Sequence, residues 1–436
     1  MEMKKKKLYL KAQKVILGGN SLLSKNPNML LPKGWPTYFK KAHKVNVWDI
    51  NGKKYIDMMC LVGQSILGYS NKELDQYLFK KSRDGIITSL NCPEEVFLAK
   101  KLIKIHPWAQ MAKFARSGGE ANALAARIAR AATGRDHIAI CGYHGWHDWY
   151  LSVNLKDKNN LSKFLLPGLE PHGVPKALKN TCHTFQSNDL SKLKKIIQKF
   201  RPAAIYMEVA RNRLPDKDNL KKIRKLADKN KILLIFDECT TGFRRNLGGL
   251  HLTTGVNPDL AMFGKALGNG YAITCVLGRK KYMKIAEKSF ISSTFWSERL
   301  GYLAAIKTLD ILKKKKPYNN LIKIGKMLNK SWEILAKQND LKISITGIET
   351  ITSFSFTSKN NLLYKTYITQ EMLKKGYLAS NVVYLNIHHT KKIIKNYLKN
   401  LSPIFNQISL FEKGILKKLP LNSPICNSKF ERINDH

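Results

Sequence analysis

Asp259-Leu-Ala-Met-Phe-Gly264-Lys265-Ala-Leu-Gly-Asn-Gly270 sets one lysine between an apolar, strand-like run and a glycine-rich turn, in the least lysine-rich part of the chain. Lysine is rarely buried without a partner. Desolvated near cationic or aromatic groups, it has a lowered pKa and its amine becomes a nucleophile toward carbonyl carbon. The competing reading is a solvated lysine like most others here. Ile232-Leu-Leu-Ile-Phe-Asp237-Glu238-Cys239 ends another apolar run on two acids, where α/β sheets place ligand sites. A buried carboxylate needs a partner. A protonated ring nitrogen is one candidate, and an ion pair with Arg244 or Arg245 is the other.

Arg116-Ser117-Gly118-Gly119-Glu120-Ala121 opens a helix-forming run to Ala132 that Gly134 closes. Small residues at a helix N-terminus let backbone N–H groups converge on a phosphate. An ordinary Ser117 N-cap with Glu120 completing a capping box explains the same residues equally well. Cys141-Gly-Tyr143-His144-Gly-Trp-His147-Asp148-Trp149 combines a thiol, two imidazoles and a carboxylate, which suggests a metal. No second ligand cluster at usual spacing accompanies it, so no metal is assigned and an aromatic clamp on a flat ring is preferred. Walker A and G-x-G-x-x-G patterns are absent. Phosphate cradle, ring clamp, acid for a ring nitrogen and nucleophilic lysine are together the parts of a pyridoxal phosphate site.

These residues need an α/β frame. The runs 137–141, 203–208, 232–236 and 272–277 read as strands buried on both faces, with amphipathic helices over 186–200 and 216–230 between them. Residues 45–57 read as a hairpin around Asn51-Gly52. Tyr302, Ile306, Leu309 and Leu312 share one face of a helix beginning after Arg299, and 318–436 mixes helices and short strands. The 436 residues suffice for two or three domains. The mean hydropathy is −0.30 and no apolar stretch reaches the length of a membrane span. The start reads as no secretory signal, and seven scattered cysteines without C-x-x-C suit a reducing compartment, so a cytoplasmic protein is expected. Seventy-six basic residues against 31 acidic ones leave a net charge of +45. The basic residues run along the whole chain without an RNP-like, zinc-finger or basic-zipper pattern, so they read as solvated faces rather than a specific nucleic-acid or membrane surface.

The order S-G-G-E-A, Y-H-G, L-I-F-D-E, G-K-A-L-G-N-G and Ser293-Thr294-Phe-Trp resembles class III, fold-type I aminotransferases from about residue 15 to 390, most closely the glutamate-1-semialdehyde 2,1-aminomutase branch. The resemblance implies a large α/β domain over 50–300 with a mostly parallel central sheet covered by helices. It also implies a smaller α+β domain over 301–436, to which 1–49 contribute. Lys265 would bond the cofactor aldehyde and later carry a proton. Asp237 would pair with the pyridinium nitrogen, and Tyr143, with His144 beside it, would stack on the ring. Ser117, Gly118 and Gly119 would form the phosphate turn, and Glu208 would match an acid near the site, although Val209 replaces the family's proline. Thr294 would reach the phosphate in a neighbouring subunit, which implies a homodimer with shared sites.

The chain departs from the family at several points. Gly119 replaces the threonine of S-G-T-E-A, and Phe295-Trp-Ser-Glu298-Arg299 replaces Gly-Asn-Pro. Ser24 stands where the aminomutases carry a carboxylate-binding arginine, and Asn381 lies near the place of their glutamate. An aminotransferase with an amino acid donor, glutamate first, and an aldehyde or keto acceptor is therefore expected. The aminomutase is the alternative, and a nucleic-acid-associated scaffold with a degenerate site is a reading of a different class. Glu298 and Arg299 either line the acceptor pocket or pair with each other at the subunit interface.

Overall fold

The structure, a computed structural model, describes residues 2–428 except 166 and 211, with side chains from residue 8 onward. It divides into two compact units, one discontinuous (residues up to 71 with those from 319) and one spanning 72–318.

The discontinuous unit begins with an antiparallel ladder of β1 (Phe39–His43), β2 (Asn46–Asp49) and β3 (Lys54–Asp57). The hairpin expected around Asn51-Gly52 is present. It closes on Asp49, whose carbonyl accepts from Gly52 N at 2.9 Å and whose carboxylate accepts from Asn51 N and Lys53 N at 2.9 and 3.1 Å. Gly52 sits at φ 84, a left-handed turn position that glycine adopts without a Cβ penalty.

The second unit is built on seven strands: β4 (Met111–Ala115), β5 (Ile138–Cys141), β6 (Cys182–Thr184), β7 (Ala204–Glu208), β8 (Leu233–Asp237), β9 (Leu260–Phe263) and β10 (Thr274–Gly278). Their order is β4-β10-β9-β8-β7-β5-β6. The five strands from β9 to β6 pair parallel, while β10 runs antiparallel to both its neighbours. Strands β5, β8, β9 and β10 are buried at every residue, which is why they read as unbroken apolar runs rather than alternating ones. The helices Leu190–Phe200 and Lys217–Lys229 begin on Asp189 and Asp216, whose carboxylates accept first-turn N–H groups. The helix Gly118–Thr133 buries seven side chains and stops at Gly134, φ 65. The helix Arg299–Lys315 packs on the helices Lys72–Ser82 and Pro93–Ile105 of the same unit.

The chain then returns to the first unit with β11 (Ile343–Ile348), β12 (Ile351–Phe356), β13 (Tyr377–Leu378) and β14 (Val382–Tyr384). Strand β13 pairs parallel with β3, tying the early hairpin to the C-terminal part, while β11, β12 and β14 form a separate antiparallel sheet. The sequence boundaries at 49/50 and 300/301 therefore cut through the β2–β3 hairpin and the helix Arg299–Lys315. A sheet pairing across more than 300 residues draws 50–71 to the C-terminal part, and helix packing draws 301–318 to the large unit. Among the described residues, no helix is long and apolar enough to cross a membrane.

Candidate active site

The parallel register sets Glu208 beside Asp237 at the carboxyl ends of β7 and β8. Asp237 is 5% exposed. Its Oδ2 lies 3.0 Å from His144 Nδ1 and its Oδ1 accepts from Cys239 N at 3.0 Å. Burial alone would raise this carboxyl's pKa, but the His144 and Cys239 hydrogen bonds bring it below its ordinary value. An ionised Asp237 only accepts, so the proton of His144 sits on Nδ1, and Nε2 is left buried without a hydrogen-bond partner. The His144 ring is fully buried against Tyr206 and Trp149, with centroids 4.7 and 6.4 Å away. The partner of Asp237 inside the protein is therefore a histidine rather than Arg244 or Arg245.

Glu238 faces the other way, into a closed polar cluster. Its carboxylate accepts from Thr241 Oγ1, Leu250 N, His251 N and His251 Nδ1 at 2.6–2.9 Å. His251 Nε2 accepts from Trp108 Nε1 at 2.8 Å, and His106 Nε2 accepts from Gly249 N at 2.9 Å. In both rings Nε2 therefore accepts and Nδ1 faces an acceptor. Replacing Glu238 with Gln puts an NH2 among four donors and is expected to lower stability by about 3 kcal/mol, read from urea unfolding. Burial pushes His106 down to about 4, against an ordinary 6.5. The unfolded chain therefore takes up this proton first: the stabilisation is complete above about 6.5 and is lost as pH falls toward 4. Unfolding at pH 7 and pH 5 should differ by about 2 kcal/mol from this group, a difference that His106→Gln removes.

Lys265 opens the turn after β9 at φ 43, a left-handed conformation that costs a non-glycine residue about 1–2 kcal/mol. Its partly buried amine donates to Thr240 Oγ1 at 2.6 Å. Burial lowers the amine's pKa, with Cys239, Glu208 and Asp237 opposing. Nothing in the sequence singled out Thr240, because the contact joins two turns 25 residues apart. Cys239 Sγ lies 3.7 Å from a Cβ placed on either Gly118 or Gly264, so the thiol fills the space between the cap and the lysine turn.

Tyr143 is 37% exposed, and its backbone N donates to Glu208 Oε2 at 3.0 Å. Gly142, at φ 133, would drive a Cβ to within 2.7 Å of that same oxygen. The loop can therefore lie on Glu208 only with glycine there. Its ring meets Tyr150 edge-on at 6.0 Å, and Tyr150 OH donates to Gly142 O at 3.0 Å. Among the described residues, no three His, Cys, Asp or Glu converge as metal ligands.

The two readings of Ser117 coexist. Its Oγ accepts from Glu120 N at 3.3 Å while Glu120 Oε2 accepts from Ser117 N at 2.7 Å, a complete capping box. The first intrahelical bond runs from Ala121 N to Ser117 O at 3.1 Å, so the N–H groups of Gly118 and Gly119 precede the helix ladder and remain available to an anion. Trp296 Nε1 donates to Glu120 Oε1 at 3.0 Å. Arg116 donates to the carbonyls of Phe295, Ala272 and Trp296 at 2.6, 3.2 and 3.0 Å, fastening the segment 295–298 beside the cap. Thr294 is exposed at the start of this segment. Glu298 caps the helix Arg299–Lys315 and lies 3.7 Å from Arg116. Arg299 makes a two-point pair with Glu94 at 2.7 and 3.0 Å. Within one protomer Glu298 and Arg299 therefore pair with Arg116 and Glu94 rather than with each other.

Residues 32–395 match the aminotransferase class-III family. The 3-aminobutyryl-CoA aminotransferase of Cloacimonas acidaminovorans (strain Evry) is 32% identical over 392 residues, 88% of this chain and 90% of that one. The glutamate-1-semialdehyde 2,1-aminomutase of Methanosphaera stadtmanae is 32% identical over 383 residues, covering 84% and 86% of the two chains. The FumI protein of Sphingopyxis sp. MTA144, solved with PLP, superposes with a TM-score of 0.85 at 24% identity over 96% of this chain and 99% of its own, a likeness of fold-type I architecture. The chain belongs to the class-III aminotransferase family.

Proposed function

We propose that the chain binds pyridoxal 5′-phosphate and moves an amino group from an amino acid donor, glutamate first, to an aldehyde or keto acceptor. The observation that carries this reading is Lys265, an amine of lowered pKa set on a strained turn near an ionised Asp237. The residues present fit the cofactor. First-turn amides of Gly118 and Gly119 suit a phosphate, the half-exposed Tyr143 ring suits a flat aromatic, and Asp237 has lone-pair capacity beyond its two donors.

When bound, the cofactor supplies an aldehyde for the amino group and a ring that draws electrons from the bond to be broken. Lys265 Nζ would be the nucleophile toward that aldehyde and, once the donor's amino group has displaced it, would take and return a proton at the same atom. Thr240 Oγ1 holds the amine in place. Asp237, kept ionised and oriented by His144, would hold a proton on the ring nitrogen. Tyr143, its loop fixed by Glu208, would cover one ring face. Thr294, exposed at the start of its turn, would reach the phosphate in a second protomer, the contact that the family resemblance implies.

The aminomutase relative supports a second reading, intramolecular transfer, which Ser24 and Asn381 disfavour because neither reproduces the family's charged residue. Incubating the enzyme with and without donor tests the two. Product that forms only with a separate amino donor supports the transferase, and product from a single amino aldehyde without donor supports the aminomutase.

A further inference from the structure

Two backbone turns, each fixed by its own contacts, set the distance between Lys265 and Thr240. In the turn after β8, Cys239 N donates to Asp237 Oδ1 at 3.0 Å and Gly242 N donates to the Glu238 carbonyl at 2.9 Å. Thr241 Oγ1 donates to Glu238 Oε2 at 2.9 Å, which ties the residue after Thr240 into the buried carboxylate cluster. A Cβ on Gly242 would come within 2.8 Å of the Glu238 carbonyl oxygen, so the turn closes this tightly only with glycine there. In the turn after β9, Leu267 N donates to the Gly264 carbonyl at 3.0 Å and Lys265 itself sits at φ 43. The four-carbon lysine stem is flexible, yet its amine rests 2.6 Å from Thr240 Oγ1.

A hydroxyl that accepts from an amine has two effects. Accepting one N–H leaves the lone pair of the neutral amine pointing in one direction instead of turning freely. The same bond favours the ammonium over the amine, because a charged donor bonds more strongly. The charged and titratable groups around this amine are Asp237 and Cys239 on the turn after β8, Glu208 at the end of β7, and Arg244. Burial and Arg244 pull the amine toward its neutral form, and the other three oppose them. We propose that Thr240 is a catalytic residue, its hydroxyl aiming the Lys265 amine and stabilising its protonated form until the cofactor aldehyde arrives. The proposal rests on the pyridoxal phosphate reading above. In the capture step the Nζ lone pair forms the C–N bond, and the carbonyl oxygen leaves as water with the two hydrogens of the neutral amine. An ammonium has no lone pair, so it first releases a proton to solvent. Asp237 and Thr240 stand three residues apart, so one piece of backbone sets both the acid for the ring nitrogen and the hydroxyl for the amine.

The test uses the cofactor-free full chain. Trace labelling of Lys265 with acetic anhydride across pH, read by mass spectrometry from the peptide that carries it, gives the titration midpoint of the amine without cofactor. The rate at which added pyridoxal phosphate produces a yellow band, measured above that midpoint, reports the aim of the neutral amine. Thr240→Val keeps the side-chain shape and removes the hydroxyl. Its midpoint should fall by about one unit and its plateau rate by about fivefold to tenfold, the effect of one hydrogen bond lost from a charged and from a neutral amine. Thr240→Ser should restore both, a rescue that a merely space-filling threonine would not show. A Thr240→Val protein that matches the parent in midpoint and plateau rate would overturn the proposal. Equal losses in the Val and Ser variants, with a lowered melting temperature in both, would also overturn it, because position 240 would then be structural. A parent that gives no yellow band overturns the cofactor reading instead, whereas the labelling midpoint tests Thr240 without any cofactor.

Discussion

Lys265→Ala is expected to lower amino transfer by at least about a thousandfold while leaving the fold intact. The substitution removes both the nucleophilic amine and the group that carries the proton, and either loss alone reaches that order. Stability should change little. Alanine at φ 43 carries the same left-handed strain as lysine, and the single lost hydrogen bond is to the hydroxyl of Thr240. Single-turnover kinetics beside a thermal melt separate the two effects. A variant that retains a tenth of the parent rate would remove Lys265 from the chemistry.

Asp237→Asn is expected to reduce turnover by about a hundredfold to a thousandfold, with the loss in kcat rather than KM. The amide oxygen can still accept from His144 Nδ1–H, so the buried histidine keeps its partner, but the NH2 then faces Cys239 N–H and a stability loss of about 1 kcal/mol accompanies the change. What disappears is the negative charge that holds a proton on the ring nitrogen. Asp237→Ala should behave differently, because it leaves His144 Nδ1 in a fully buried position with nothing to accept its hydrogen, and a stability loss of about 1–3 kcal/mol should accompany the catalytic one. If Asn and Ala gave the same small loss of rate, the carboxylate would not be acting on a ring nitrogen.

The central sheet was legible because its middle strands are covered on both faces, which leaves unbroken apolar runs, and the end of the helix Gly118–Thr133 was legible because Gly134 closes it by a mechanism that acts within one turn. The lysine after β9 and the acid that ends β8 were legible for the same reason: each interrupts or ends such a run. What joins them was not. His144 reaches Asp237 across 93 residues and Lys265 reaches Thr240 across 25, and neither spacing leaves a periodic trace. The fates of Glu298 and Arg299 depended on Arg116 and Glu94, contributed by distant helices and turns. The unit boundaries were hidden because one two-residue strand, Tyr377–Leu378, decides where the early hairpin belongs. Gly119 stood out as a departure from the family motif, yet its reason lay in a side chain 28 positions away that only the folded loop brings close.

The most direct measurement is the visible absorption of the purified protein reconstituted with pyridoxal phosphate, recorded before and after adding glutamate, beside Lys265→Ala. Expected is a yellow band in the parent that depends on Lys265 and bleaches with glutamate, with the amino group recoverable on an added aldehyde or keto acceptor. A colourless protein that pyridoxal phosphate cannot reconstitute would contradict the account, and so would a yellow band that persists unaltered in Lys265→Ala.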